Sequence, residues 1–233
     1  MTRKLHNLRA QAFVMASGKF ITFEGGEGSG KSTQARLLAE RLQAGGIDAL
    51  LTREPGGSPF AERVRVLLLD PATPSHAALS EALLFYAARA DHLDKTIRPA
   101  LAAGRWVICD RFSDSTRVYQ GAAGGLRAEA LDALERLVVC ETRPHLTFIL
   151  DLAPAEGLAR ARARGGVEGT VSAATDPFER RDPSFHARLR AGYAEVAKAE
   201  PRRCALIDAA RGRDAVAAEI WAVVEQRLLP GAS

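Results

Sequence analysis

Four glycines in six positions, then a lysine and two hydroxyl residues, make the most chemically suggestive stretch of this chain: Gly25, Gly26, Glu27, Gly28, Ser29, Gly30, Lys31, Ser32 and Thr33. The spacing Gly25-x-x-x-x-Gly30-Lys31-Ser32 is a phosphate-loop pattern. Glycines let successive backbone N–H groups turn toward one anion, and a helix starting behind them adds partial positive charge. In such a loop Lys31 reaches the β- and γ-phosphates, and the Ser32 hydroxyl ligates Mg²⁺. The pattern implies a nucleoside triphosphate and leaves the reaction open. Glu27 is the anomaly, a carboxylate in a loop otherwise suited to anions.

Three other clusters carry chemistry. "TREPGGS" places Arg53 and Glu54 ahead of a proline and two glycines. "FYAARADH" sets Phe85 and Arg89 four residues apart, on one helical face. An aromatic ring can stack on a planar base while the guanidinium donates to the base edge; a core phenylalanine beside a surface arginine is the alternative. "WVICDRF" ends an apolar run in Asp110 and Arg111, suited to Mg²⁺ and to a phosphate respectively. A guanine-reading Asn-Lys-x-Asp and a switch Asp-x-x-Gly are both missing from the sequence, which argues against a GTPase switch.

These residues need a scaffold, and the pattern supplies one. Unbroken apolar runs at Phe20–Phe23, Ala49–Thr52, Trp106–Cys109, Leu146–Leu150 and Ala205–Ile207 read as parallel strands covered on both faces. Helical patterns separate them: Ser32–Ala44 with Leu37, Leu38, Arg41 and Leu42 on one side, and a helix opened by Ser58-Pro59. A long pattern follows over Ala78–Ala103, with a break expected near Pro99. Others cover Arg127–Cys140, Pro154–Arg164, Ser184–Ala199 and Asp214–Leu228. Strands alternating with helices predict an open α/β sheet in one domain. Gly165–Pro183 has no apolar periodicity and reads as a mobile loop.

The 233 residues carry 47% apolar and 26% charged residues and a net charge of +4, the profile of a globular protein suited to anionic ligands. That charge is too weak to imply nucleic acid, and no apolar run approaches the roughly 20 residues of a membrane helix. Cys109, Cys140 and Cys204 have neither metal nor redox spacing, and read as buried free thiols of a cytoplasmic protein. Residues 1–18 lack a secretory core and read as a disordered extension, or as the product of a start codon placed too early.

In order along the chain, "FEGGEGSGKST", "TREPGGS", "LLFYAARADH", "DRFSDSTRVYQG" and "ILDLAPAEGLARARARG" resemble the motif series of bacterial thymidylate kinase, from about Lys19 to the last helix. The resemblance implies a P-loop NTPase three-layer fold, a five-stranded parallel sheet flanked by helices, a lid insertion at about 160–185, and a homodimer. It implies transfer of the γ-phosphoryl group of ATP to dTMP, with Mg²⁺. It assigns Phe85 to stack on thymine, Arg89 to its edge, Arg111 and Arg53 to the dTMP phosphate, and Thr116 and Gln120 to base or sugar. Tyr119 would crowd the 2′ position. Glu27 would accept from the 3′-hydroxyl, which explains a carboxylate in that loop. No arginine lies between Gly25 and Lys31, so the lid must supply one. The family's lid arginine is replaced by Pro177 in "TDPFERRDPSF", and Arg164, Arg180 and Arg181 are the candidates. A kinase for another nucleotide or a deoxynucleoside, and a non-catalytic ATP-binding regulatory module, are the alternatives.

Overall fold

Five short apolar runs, each closing on a polar residue or glycine, set the architecture. The computed structural model describes residues 18–164, 178 and 180–229. The runs form strands β1 (Phe20–Gly25), β2 (Ala49–Arg53), β3 (Trp106–Asp110), β4 (Leu146–Asp151) and β5 (Cys204–Asp208). They pair in parallel in the order β2-β3-β1-β4-β5. β1 is buried along its length, whereas the edge strands β2 and β5 each carry exposed residues, Leu51 and Arg53 in one and Leu206 and Asp208 in the other. The chain leaves β1 toward β2 and leaves β3 across β1 toward β4. Neighbouring strands whose connections run opposite ways open a crevice at their C-terminal ends.

The helices are α1 (Lys31–Ala44), α2 (Pro59–Leu69), α3 (Ala78–His92), α4 (Arg98–Ala102), α5 (Ser113–Thr116), α6 (Ala128–Val138), α7 (Pro154–Arg164), α8 (Pro183–Ala199) and α9 (Arg213–Leu228). One core joins α1 and α9 to the sheet around Phe23, Leu42, Phe148 and Ile220; another joins α3 and α6 around Phe20, Tyr86, Phe112 and Leu131. The Ser58 hydroxyl caps α2 by accepting from the Ala61 N–H at 3.3 Å, with Pro59 at the first helical position.

Several details depart from the sequence expectation. The break in the long helical pattern comes before Pro99, as a wide π-helical turn at Leu93–Ile97. Proline offers no N–H to the preceding turn, and the wider turn absorbs the defect. Arg41, on the leucine side of α1, is exposed, with its guanidinium 4.2 Å from the Trp221 ring centre. Cys109 and Cys204 are buried, but Cys140 is exposed, because α6 ends at Val138 and Cys140 takes a left-handed backbone (φ 51°). Residues 1–17, and 165–177 of the expected lid, lie outside the described residues.

Candidate active site

β1 delivers the glycine loop to the crevice and α1 carries it away. Gly25 and Gly30 have φ of 138° and 92°, conformations open to glycine and strained for other residues. Gly26, Gly28 and Ser29 complete the turn, and Thr33 lies half-buried in the first turn of α1. A Cβ at Gly28 would overlap the Gly157 carbonyl, and one at Gly157 would overlap the Glu27 carbonyl. The loop therefore seats directly on α7, with no side chain between. Lys31 is buried, and its Nζ donates to the Gly26 carbonyl at 2.7 Å. Burial, followed by the Arg111 charge, lowers Lys31 to about 8, although Glu27 and Asp110 oppose the shift. The Ser32 hydroxyl donates to the Asp110 carboxylate at the end of β3, joining the two residues expected at a metal.

Beyond β3 the chain turns sharply at Arg111, whose backbone is left-handed (φ 69°), a strained state for a side-chain-bearing residue. The turn points its guanidinium back to the loop: Nη2 donates to Glu27 Oε1 at 2.7 Å, and Nη1 lies 3.3 Å from the Gly25 carbonyl. The Tyr119 hydroxyl donates to the same Glu27 oxygen at 2.6 Å. Burial pushes the Glu27 carboxyl up, but Arg111, Lys31 and the Tyr119 hydroxyl outweigh it and hold the group down at about 2. Below this cluster, burial and the neighbouring Asp114 raise Glu24 to about 7.

A cavity of about 220 Å³ extends from the loop between α2, α3 and the helical segment Ser113–Ala122. Glu27, Lys31, Ser32, Arg53, Phe85, Arg89, Asp110, Arg111, Thr116, Tyr119 and Gln120 all line it, so four separated sequence clusters meet there. Arg89 is almost fully buried: its Nε donates to Glu54 Oε2 at 2.7 Å and its Nη2 to Thr116 Oγ1 at 3.1 Å. Its Nη1 is buried without a partner among the described residues. His92 bridges Glu54 and Thr52, at 3.1 and 2.8 Å. Gln120 donates to Glu81 at 2.6 Å, and Arg53 is exposed and pairs with Glu62 at 3.0 Å.

Sequence reasoning missed Arg65 and Phe178, which also line the cavity. Arg65, on α2, donates to the Pro55 carbonyl at 2.8 Å. Its position two turns past the Ser58 cap was a readable signal, since an arginine on the cavity face of a helix beginning at "PGGS" faces the same crevice. Phe178 gave no such signal, standing in a segment without periodicity; its ring lies 5.6 Å from that of Tyr119. Of the expected lid arginines, Arg181 stacks near Phe185 at 5.0 Å and lies 3.7 Å from Glu81. Arg180 is exposed, and Arg164 closes α7 with its side chain outside the described residues. Neither Arg180 nor Arg181 is part of the described cavity wall.

Comparison with known proteins bears on this arrangement. A family model described as thymidylate kinase matches residues 23–220. A thymidylate kinase of Caulobacter vibrioides is 54% identical over 214 residues, covering 92% of this chain and 99% of the relative. One from Nitrobacter winogradskyi is 53% identical over 212 residues, covering 91% and 90%. A crystal structure of thymidylate kinase from Ehrlichia chaffeensis superposes with a TM-score of 0.70 at 37% identity, covering 89% of this chain and 99% of that one.

Proposed function

Because the chain belongs to the thymidylate kinase family, we propose that it transfers the γ-phosphoryl group of ATP to dTMP, giving dTDP, by the following division of labour. The glycine loop and the start of α1 hold the ATP phosphates through backbone N–H groups, with Lys31 bridging the β- and γ-phosphates. Phe85 stacks on thymine and Arg89 donates to its edge. Arg111, with Arg53 and Arg65 beside it, holds the acceptor phosphate. Glu27 accepts from the 3′-hydroxyl, and Tyr119 closes the space beside the sugar. Thr116 orients Arg89, and Gln120 faces the base or sugar. A phosphate acceptor is already dianionic near neutral pH, so positioning and charge screening carry the chemistry without a strong general base. A lid arginine, from Arg164, Arg180 and Arg181, completes the screening.

One hydroxyl and one carboxylate, Ser32 and Asp110, meet beside the loop, and no cluster of three metal-ligating side chains occurs among the described residues. A donor set this sparse suits Mg²⁺, which keeps most of its waters and takes phosphate oxygens. When bound, Mg²⁺ supplies charge neutralisation between the phosphates.

The observation that carries the acceptor assignment is Arg89. A buried guanidinium with two of its nitrogens bonded and the third without a partner among the described residues, beside an aromatic ring at a cavity wall, is built for a planar ligand with an acceptor edge. A homodimer is supported by exposed apolar residues on the adjacent helices α2 and α3: Phe60, Val66, Leu67, Leu79 and Leu83. A cytoplasmic setting is supported by the three free cysteines. No described helix is long and apolar enough to cross a membrane. A coupled ADP-release assay with ATP, Mg²⁺ and a panel of dTMP, dUMP, dCMP and thymidine tests the reading. dTMP should be turned over fastest. Faster turnover of another acceptor would reassign the substrate, and no turnover with any would favour the non-catalytic alternative.

A further inference from the structure

The orientation of Arg111 depends on the groups around it. Its guanidinium spans a gap to the loop, its backbone is in a strained left-handed state, and Glu27, its ionic partner, has a substrate role of its own. The structure supplies a brace at the cavity wall, where Phe112 and Ser115 line the space but carry no assigned substrate contact. Glu24, wholly buried in β1, accepts at Oε1 from the Phe112 N–H at 2.8 Å, fixing the backbone just after Arg111. Its Oε2 accepts from the Ser115 hydroxyl at 2.6 Å and from the Tyr193 hydroxyl at 3.2 Å. Those two hydroxyls lie 3.0 Å apart and both face Arg111 Nη1, at 3.2 Å from Ser115 and 3.5 Å from Tyr193. One buried carboxyl thus ties together β1, the turn after β3, α5 and α8, and presents two oriented hydroxyls to one guanidinium nitrogen. Tyr193 buries its ring with Phe185 and Leu189, and its hydroxyl joins Glu24, Ser115 and the Gly25 backbone beside Arg111.

Resting on the assignment of Arg111 to the acceptor phosphate, we propose that Glu24, Ser115 and Tyr193 are positioning residues that aim Arg111 at that phosphate. With the brace intact the guanidinium rests where the phosphate arrives; without the Tyr193 hydroxyl it gains rotamer freedom that binding must remove. α8 follows directly on the lid segment, so the brace also makes the aim of Arg111 depend on where α8 sits.

The test separates phosphate recognition from recognition of the nucleoside. Dissociation constants of dTMP and of thymidine, which lacks the phosphate, are measured by calorimetry on the full chain. The variants are Tyr193→Phe, Ser115→Ala, Arg111→Ala and the double variant Tyr193→Phe/Arg111→Ala. The expected result is a loss of about tenfold or more in dTMP affinity for Tyr193→Phe, with thymidine affinity within about twofold of wild type. The double variant should bind dTMP no more weakly than Arg111→Ala alone, since a residue acting through Arg111 has nothing left to position. Ser115→Ala should move in the same direction, and serves if the phenylalanine variant does not fold. Parallel losses for dTMP and thymidine, additive losses in the double variant, or unchanged dTMP binding in both single variants would each overturn the proposal. A wild-type chain that binds thymidine and dTMP equally would instead overturn the assignment of Arg111 on which it rests.

Discussion

Lys31 keeps its charge in surroundings that oppose it, since burial and Arg111 lower it to about 8. In the proposed mechanism this ammonium meets the transferred phosphate charge, and a buried preorganised cation acts far more strongly than one in water. Lys31→Ala should therefore fold normally by circular dichroism yet lose at least about a hundredfold in kcat with both substrates saturating. Near-normal turnover in a folded variant would sink the loop assignment. Glu27 sits at the opposite extreme. Burial alone would raise its carboxyl, but Arg111, Lys31 and Tyr119 bring it to about 2, below its ordinary 4.5. Between those values the unfolded chain binds more protons than the folded one. Ionised Glu27 thus contributes stability that is present above about 4.5 and lost as pH falls toward 2. The stability advantage of wild type over Glu27→Gln, read from urea midpoints, should shrink steadily from pH 5 to pH 3. A constant difference would mean that the carboxylate is not held by its cations.

At the scale of elements, the contact between the glycine loop and α7 is the tightest constraint near the site. Gly157→Ala puts a methyl group against the Glu27 carbonyl, and backbone cannot yield as a side chain can. The variant should lower the melting temperature by several degrees and raise KM for ATP more than KM for dTMP; a silent substitution would show that the loop floats free of α7. The expected lid carries a second prediction. Single alanine variants at Arg164, Arg180 and Arg181 are expected to include one with at least a tenfold lower kcat, about 1.4 kcal/mol in the barrier. Wild-type kcat in all three and in the triple variant would end the lid-arginine mechanism.

Why the loop, the strands and most helices were legible while other parts were not is a matter of range. Ser58-Pro59, the glycine spacing and the apolar runs act within a few residues, and local physics decides them. The segment Ser113–Ala122 carries no stripe of apolar residues; it is helical because Glu24, Glu135 and Arg203 take the polar groups of Ser115, Ser113 and Asp114 from distant elements. The same holds for Arg89, whose partner Glu54 lies 35 residues away, and for Arg65, whose place in the cavity wall depends on how α2 docks.

For the whole molecule, the exposed apolar faces of α2 and α3 predict assembly. Sedimentation should give twice the 25.0 kDa chain mass for wild type, and Val66→Asp, at a residue 69% exposed and not part of the described cavity wall, should shift the boundary toward the single-chain mass. A wild-type boundary already at the single-chain mass would overturn the assembly. The pairing of Arg111 with Glu27 has a consequence at the same scale, for a protein of net positive charge among small anions. The site's principal arginine already has a resident anion, tethered at high effective concentration, against which inorganic phosphate and sulfate must compete. A nucleotide brings base and sugar contacts that offset this competition, and a free oxyanion brings none. Removing the carboxylate should act in opposite directions on the two: in Glu27→Gln, inorganic phosphate should inhibit more strongly against dTMP, while dTMP itself binds more weakly. The carboxylate that looked out of place in an anion-binding loop would then be what keeps the acceptor site from filling with the commonest anion of its own chemistry.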